Sequence, residues 1–399
     1  MPSLLPHRCF RRAAAIVACA FATVLLIGCA QPEFNETPNL SESDSITDII
    51  QLTHGFDRAG EAYFSPDMQW VIFQAVPHGE QQYQMYVAPL MYDVTERSPA
   101  PGSVMRATPL PGLKIPHATD ILRLGEPIRI SPASSRNTCG FFSPDGYSLI
   151  FGSTAGKEDP EEPNSGYQRQ GANYRWSFPK GMEVFRADGW QPAIESAEPG
   201  KIVDLAKHAI TYNDAYDAEC GYSPDGKWIA FTSNLSGDLE LYAMHPDGSS
   251  LTRLTNAPGY DGGPFFSPDG KRLVYRSDRQ GNDLLQVFVA DVVFDRAGNI
   301  TGLTNERNLT NDANVDWGPF WHPDGKHIIY ATSKWGHHNY ELMLMRDDGT
   351  HKTRITYKDG PDLLPAFSPD GKYLMWCSRR SQDGSPQIFL AKFKFPKGS

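Results

Sequence analysis

Apolar residues in this chain fall in short runs separated by polar turns. Six of these runs are Trp70-Val71-Ile72-Phe73, Leu149-Ile150-Phe151, Trp228-Ile229-Ala230-Phe231, Leu273-Val274-Tyr275, Ile328-Ile329-Tyr330 and Leu374-Met375-Trp376. Runs this short, rich in β-branched and aromatic residues and bounded by Gly, Pro and Asp, predict strands rather than helices. Each follows the same turn. Ser-Pro-Asp begins at Ser65, Ser143, Ser223, Ser267 and Ser368, and His322-Pro323-Asp324 is a sixth copy. Gly comes next in five copies, and Met68 in the first. Pro presets φ, Asp bonds its own backbone and Gly accepts the left-handed last position, so the tetrapeptide suits a hairpin turn.

A second marker fixes the repeat. Twelve residues before each copy stands a hydroxyl residue: Thr53, Ser131, Thr211, Thr255, Thr310 and Thr356. Each closes a short apolar segment. A further strand lies between the markers, as in Leu239 to Met244 or Glu341 to Met345. The unit is therefore four strands, A to D, with Ser-Pro-Asp-Gly joining A to B and the hydroxyl residue ending D. Six such units predict an all-β chain, a six-bladed β-propeller of four-stranded blades. The repeats begin with a D-type strand, residues 49–53, and end with a C-type strand, residues 387–393. The last blade is then expected to borrow its D strand from the front of the chain, which closes the ring and hides two sheet edges.

Successive copies are 78, 80, 44, 55 and 46 residues apart, read from their first residues. The first two blades thus carry insertions, at about 92–124, 155–177 and 189–207. Long loops on a rigid scaffold are where function tends to sit. Residues 167–176, with Arg169 and Arg175, are a candidate lid.

The front of the chain reads as an address. Arg8, Arg11 and Arg12 precede an apolar run from Ala13 to Gly28, too short to span a membrane and suited to a signal peptide. Leu26-Ile27-Gly28-Cys29 resembles the bacterial lipobox, which implies that residues 1–28 are removed and Cys29 is acylated. Ala30 in place of Asp implies the outer membrane, by resemblance to known sorting. Residues 29–45 are polar and read as a flexible tether; residues 46–399 form the propeller. The chain carries 37 basic and 47 acidic side chains, a formal charge of -10. Without its first 28 residues it has 34 basic groups (37 minus three Arg), near -13. This balance argues against nucleic acid and against electrostatic adhesion to anionic lipid, leaving the lipid anchor as the membrane contact. Of six cysteines, Cys139, Cys220 and Cys377 remain beyond Cys29. Cys139 and Cys220 sit near the same point of successive repeats, so they either pair or stay free.

The -Leu-Thr- strand ends, the Ser-Pro-Asp-Gly turns and Met244-His245-Pro246-Asp247-Gly248 resemble propellers of the TolB type, over about residues 49–395. The resemblance implies a non-catalytic, monomeric scaffold of the cell envelope that binds a protein or peptide. TolB carries an α/β domain before its propeller, for which this chain has no room. Propellers of this kind also precede hydrolase domains, but no Gly-x-Ser-x-Gly, His-Glu-x-x-His, phosphate-loop or Cys-x-x-Cys motif stands here.

Six residues before each turn marker stand Ala59, Asn137, Asp217, Asp261, Asp316 and Asp362. In a propeller the D–A and B–C loops share one face, so these residues are expected to ring one mouth of the channel. Glu61 and Glu219 add charge two residues further on. A carboxylate ring favours a cation, Ca²⁺ or Mg²⁺, or a basic group of a partner; the alternative is that each Asp only caps its own loop. Trp335, His337 and His338 sit in one B–C hairpin, as metal ligands or solvated loop residues. Arg279, Arg379 and Arg380 occupy matching hairpins, facing a partner or the aspartates. Trp317 is a stacking platform or packs between blades. The alternative function is a metal-dependent enzyme acting on glycans or small molecules at the channel mouth.

Overall fold

The computed structural model describes residues 41–92, 120–157, 166–170, 173–198 and 200–398. Cys29, the signal and lipobox reading and most of the first insertion lie outside them. Six antiparallel sheets form a ring, the expected six-bladed propeller. Strands A, B and C are Phe56–Phe64, Trp70–Pro77 and Gln84–Tyr92 in blade 1, and Asn137–Phe142, Ser148–Ser153 and Glu183–Asp188 in blade 2. They are Asp217–Tyr222, Ile229–Ser233 and Glu240–Met244 in blade 3, and Asp261–Phe266, Arg272–Ser277 and Gln286–Phe294 in blade 4. Blade 5 has Asp316–Trp321, His327–Thr332 and Glu341–Arg346; blade 6 has Asp362–Phe367, Tyr373–Ser378 and Gln387–Phe393. The D strands vary more. Blade 4 has nine residues, Ile300–Asn308, whereas blade 2 keeps a single bridge, Phe185 to Ala209.

The ring closes as the order of markers predicts. Ile46–Gln51 pairs antiparallel with Gln387–Phe393, with Ile46 opposite Phe393 and Gln51 opposite Phe389. Described residues ahead of Ile46 pack on the propeller as well: Ser45 is buried, and Glu42 is held by Arg380 at 2.5 Å and by the Tyr357 amide at 3.2 Å.

Both sequence markers have structural causes. In the A–B turn the Ser hydroxyl donates to the Asp carboxylate, as Ser143 does to Asp145 at 2.5 Å, and accepts the first amide of strand B, as from Ser148 at 2.8 Å. In blade 5 the His322 imidazole takes the serine's place, accepting the Asp324 amide at 3.1 Å. The hydroxyl ending strand D accepts the second amide of strand C in all six blades, at 2.9 to 3.0 Å. In five it also donates to the Glu or Gln that opens strand C: Ser131 to Gln84, Thr211 to Glu183, Thr310 to Gln286, Thr356 to Glu341 and Thr53 to Gln387. Such buried groups are costly to leave unpaired. Thr356→Val, which keeps shape but strands one Glu341 oxygen and the Leu342 amide while Arg354 still holds the other oxygen, is therefore expected to cost about 1–3 kcal/mol in urea unfolding, with Thr356→Ser close to wild type.

The insertions differ in use. Residues 189–207 pack: Trp190 is fully buried, lies edge-on to Trp70 at 5.2 Å, and donates to the Gly146 carbonyl. The Val203 and Leu205 amides then bond the carbonyls of Arg129 and Ile130, fastening blade 2 to blade 1. Within 155–177 the candidate lid forms a hairpin, Gly166–Gln170 with Asn173–Ser177.

Candidate functional site

The D–A and B–C loops do share a face. The residue after strand B clamps the D–A loop in four blades, as Asn234 accepts the Tyr216 amide at 2.8 Å and Asp278 the Tyr260 amide at 2.6 Å. Arg136 with Thr154 and Val315 with Ser333 repeat the contact.

The expected ring of aspartates needs correction. Asn137, Asp217, Asp261, Asp316 and Asp362 do open strand A, but each is 3% exposed or less. They do not line the channel. Register sets each opposite the Ser or Thr that ends strand B: Asn137 to Ser153, Asp217 to Ser233, Asp261 to Ser277, Asp316 to Thr332 and Asp362 to Ser378. Between blades 1 and 2 the chain of bonds runs from Ser153 to Asn137, from Asn137 to Gln84 and from Ser131 to Gln84, at 2.7, 3.0 and 2.7 Å. The column is a polar seam between neighbouring blades.

The seams serve their carboxylates differently. Asn213 donates to Asp217 at 2.7 Å. Arg279 pairs with Asp261 at 2.7 Å and also with Glu306. Arg380 pairs with Asp362 at 2.6 Å, and Trp376 donates to the same carboxylate. So Arg279 and Arg380 meet the aspartates rather than a partner, whereas Arg379 is exposed. Blade 5 breaks the rule. Neither Asp316 oxygen meets a donor in hydrogen-bonding geometry, and burial, then the neighbouring Asp312 carboxylate, pushes its pKa up to about 7. Burial likewise raises Asp261 to about 6, against the pull of Arg279.

What faces the axis is the column two residues on: Glu61, Cys139, Glu219, Gly263, Gly318 and Leu364. All six have positive φ, from 46° to 60°, and each sits at a register break in strand A. That bulge turns the side chain inward and is the reason the aspartates point elsewhere. Non-glycine residues pay for this conformation. Gly263 has a second reason to be glycine, because a Cβ there would lie 2.6 Å from an Arg276 nitrogen.

These residues form one polar cluster. Arg276 binds Glu219 at 2.9 Å, both nearly buried. Glu219 also accepts from Tyr260 at 2.6 Å, from Thr232 at 2.8 Å and from the Gly263 amide at 2.8 Å. Glu61 is less well served: the Tyr63 hydroxyl lies at 3.3 Å. Burial raises its pKa, with the Cys139 thiol and Arg276 opposing. Cys139, Cys220 and Cys377 are free thiols, and Cys220 donates to the Cys139 carbonyl at 3.6 Å.

Two residues further again, Tyr63, Phe141, Phe265 and Phe320 meet on the axis at centroid distances of 5.0 to 5.9 Å. Gly221 and Ala366 complete that column. The cavity above this plug is about 10 Å³, room for about one water and too small for a sugar ring.

The other expected residues lie apart from it or at its rim. Trp317 packs in the core beside Tyr340, with the Arg276 guanidinium 5.7 Å from its ring. Trp335 carries Arg354 over its face at 4.0 Å, so it serves packing. His337 lies 6.2 Å from Tyr340, and His338 is exposed. Among the described residues no group of three or more His, Cys, Asp or Glu is placed to hold a metal ion. Arg276 and the aromatic plug escaped sequence reasoning. The plug was accessible to the same alignment taken two residues before the marker; nothing in the sequence ties Arg276 to the axis.

Fold and axis define a ring-closed propeller with a polar cluster sealed below by aromatic rings. The family model described as the TolB beta propeller domain matches residues 202–317. A TolB homolog from Chlorobium luteolum is 32% identical over 213 residues, 52% of this chain and 44% of that protein. A dipeptidyl-peptidase 5 from Porphyromonas endodontalis is 28% identical over 210 residues, 42% of this chain and 30% of that protein. The chain thus spans less than half the length of these two relatives. A solved TolB structure from Agrobacterium tumefaciens shares the fold, with a TM-score of 0.51 and 16% identity over 88% of this chain and 98% of that one. Over residues 202–317 the propeller matches the TolB type.

Proposed function

We propose that the chain is a non-catalytic scaffold of the cell envelope, lipid-anchored through Cys29, whose propeller binds a protein or peptide partner on the D–A and B–C loop face. The TolB-type propeller supports the scaffold. The observation that carries the binding face is a pair of exposed apolar side chains on it. Tyr212 is 76% and Leu235 47% exposed, on the D–A and B–C loops of blade 3 that Asn234 and Tyr216 tie together. Covering such side chains yields about 1.5–3 kcal/mol each. With room for one water above a ring plug, a partner docks on the mouth and does not thread the channel.

The test is capture from an envelope extract on immobilised protein. A saturable partner is expected, lost in Tyr212→Asp/Leu235→Asp and kept in Val293→Asp/Phe294→Asp, a pair on the opposite face. Absence of saturable capture rejects the reading. Loss with the opposite-face pair alone moves the site to the A–B and C–D side, where Tyr147, Ile202 and Leu251 are also exposed.

A further inference from the structure

We propose that Phe178 is an intramolecular plug on the D–A mouth of the channel, which a partner must displace to reach the polar cluster beneath. The partner in this statement rests on the docking reading above; the plug itself does not.

The argument starts from the rim. Tyr216 and Tyr260 stand one residue before the buried aspartates of blades 3 and 4, on the D–A loops. Tyr260 reaches down to the cluster, donating to Glu219 and accepting from Arg276 Nε at 3.0 Å. Phe178 lies on top. Its ring is parallel to Tyr260 within 8° at 5.8 Å, and meets Tyr216 at 4.6 Å. Phe178 and Leu239 of blade 3 both pack against the cluster of Met182, Tyr216 and Ala218.

Phe178 comes from a different blade. It follows the strand Asn173–Ser177 in the blade 2 insertion, so blade 2 delivers an aromatic ring onto the rim of blades 3 and 4. Pro179 restricts Phe178 to extended backbone, and two residues later the Gly181 amide bonds the Ala215 carbonyl at 2.9 Å. A short arm, fixed at its base, carries the ring. The cluster therefore lies between two aromatic layers, the ring plug below and Phe178 on its tyrosines above. A partner that lifts Phe178 off Tyr216 and Tyr260 without refilling its place would open the way to Glu61 and the thiols.

Cys139 and Cys220 line the cavity and serve as built-in reporters. The full chain would be treated with N-ethylmaleimide at pH 8, and Cys139 modification followed by peptide mass mapping. Wild type is expected to be protected. Phe178→Ala should react at Cys139 at least tenfold faster with an unchanged urea midpoint, while Phe178→Leu, which keeps an apolar cap, stays protected. Equal rates in all three proteins overturn the proposal. So does acceleration that tracks a lowered urea midpoint, because Phe178 would then act through packing alone. No partner takes part, so a failed capture experiment and a failed plug experiment are separate results.

Discussion

Arg276→Met is expected to destabilise the propeller by about 3–5 kcal/mol, because it leaves a buried carboxylate with no counter-charge. Arg276 and Glu219 are 10% and 8% exposed and 2.9 Å apart. Tyr260, Thr232 and the Gly263 amide would still donate to Glu219, but three neutral donors do not replace a cation in a site this dry. Glu61, already raised by burial, lies in the same cavity and loses the same cation. The double variant Arg276→Met/Glu219→Gln removes the stranded charge and should recover at least half of the loss in urea unfolding. A single variant that costs less than about 1 kcal/mol would mean that the pair does not hold the blade 3 and blade 4 seam.

Asp316→Asn should raise stability at pH 8 and flatten its pH dependence. Asp316 titrates near 7 in the folded protein, against 3.8 as its ordinary value, because burial and Asp312 disfavour its charge. A carboxyl raised on folding stabilises while it holds its proton. That contribution is full below pH 3.8 and is lost as pH rises through about 7, so wild type should lose roughly 2–3 kcal/mol between pH 5 and pH 8 from this group. Blade 3 shows the remedy, since Asn213 donates an amide to Asp217 where blade 5 sets Asp312 against Asp316. Turn carboxylates such as Asp145 act oppositely. The Ser143 hydroxyl and the Tyr147 amide hold Asp145 below its ordinary range, so its contribution disappears as pH falls. Urea midpoints for wild type and Asp316→Asn at pH 5 and pH 8 decide the matter. Parallel slopes in the two proteins would reject the assignment.

The six blades and their closure were legible in the sequence because they depend on local chemistry. Ser-Pro-Asp-Gly makes its turn from its own hydroxyl, carboxylate and left-handed glycine, and the strand-ending Thr repeats because each blade buries one hydroxyl between the second amide of strand C and, in five blades, the Glu or Gln before it. A single period carries both, and the leftover D strand at the front has one partner to find. Which column faces the axis was decided only in three dimensions. Alternation along strand A places Asp217 and Glu219 on the same side, but the left-handed residue at each bulge rotates one of them away, and that φ depends on the strand packed alongside. Arg276 joins Glu219 from a different blade, and Phe178 reaches Tyr260 from two blades away. Such encounters are set by the curvature of the closed ring, which brings together residues that no spacing along the chain relates.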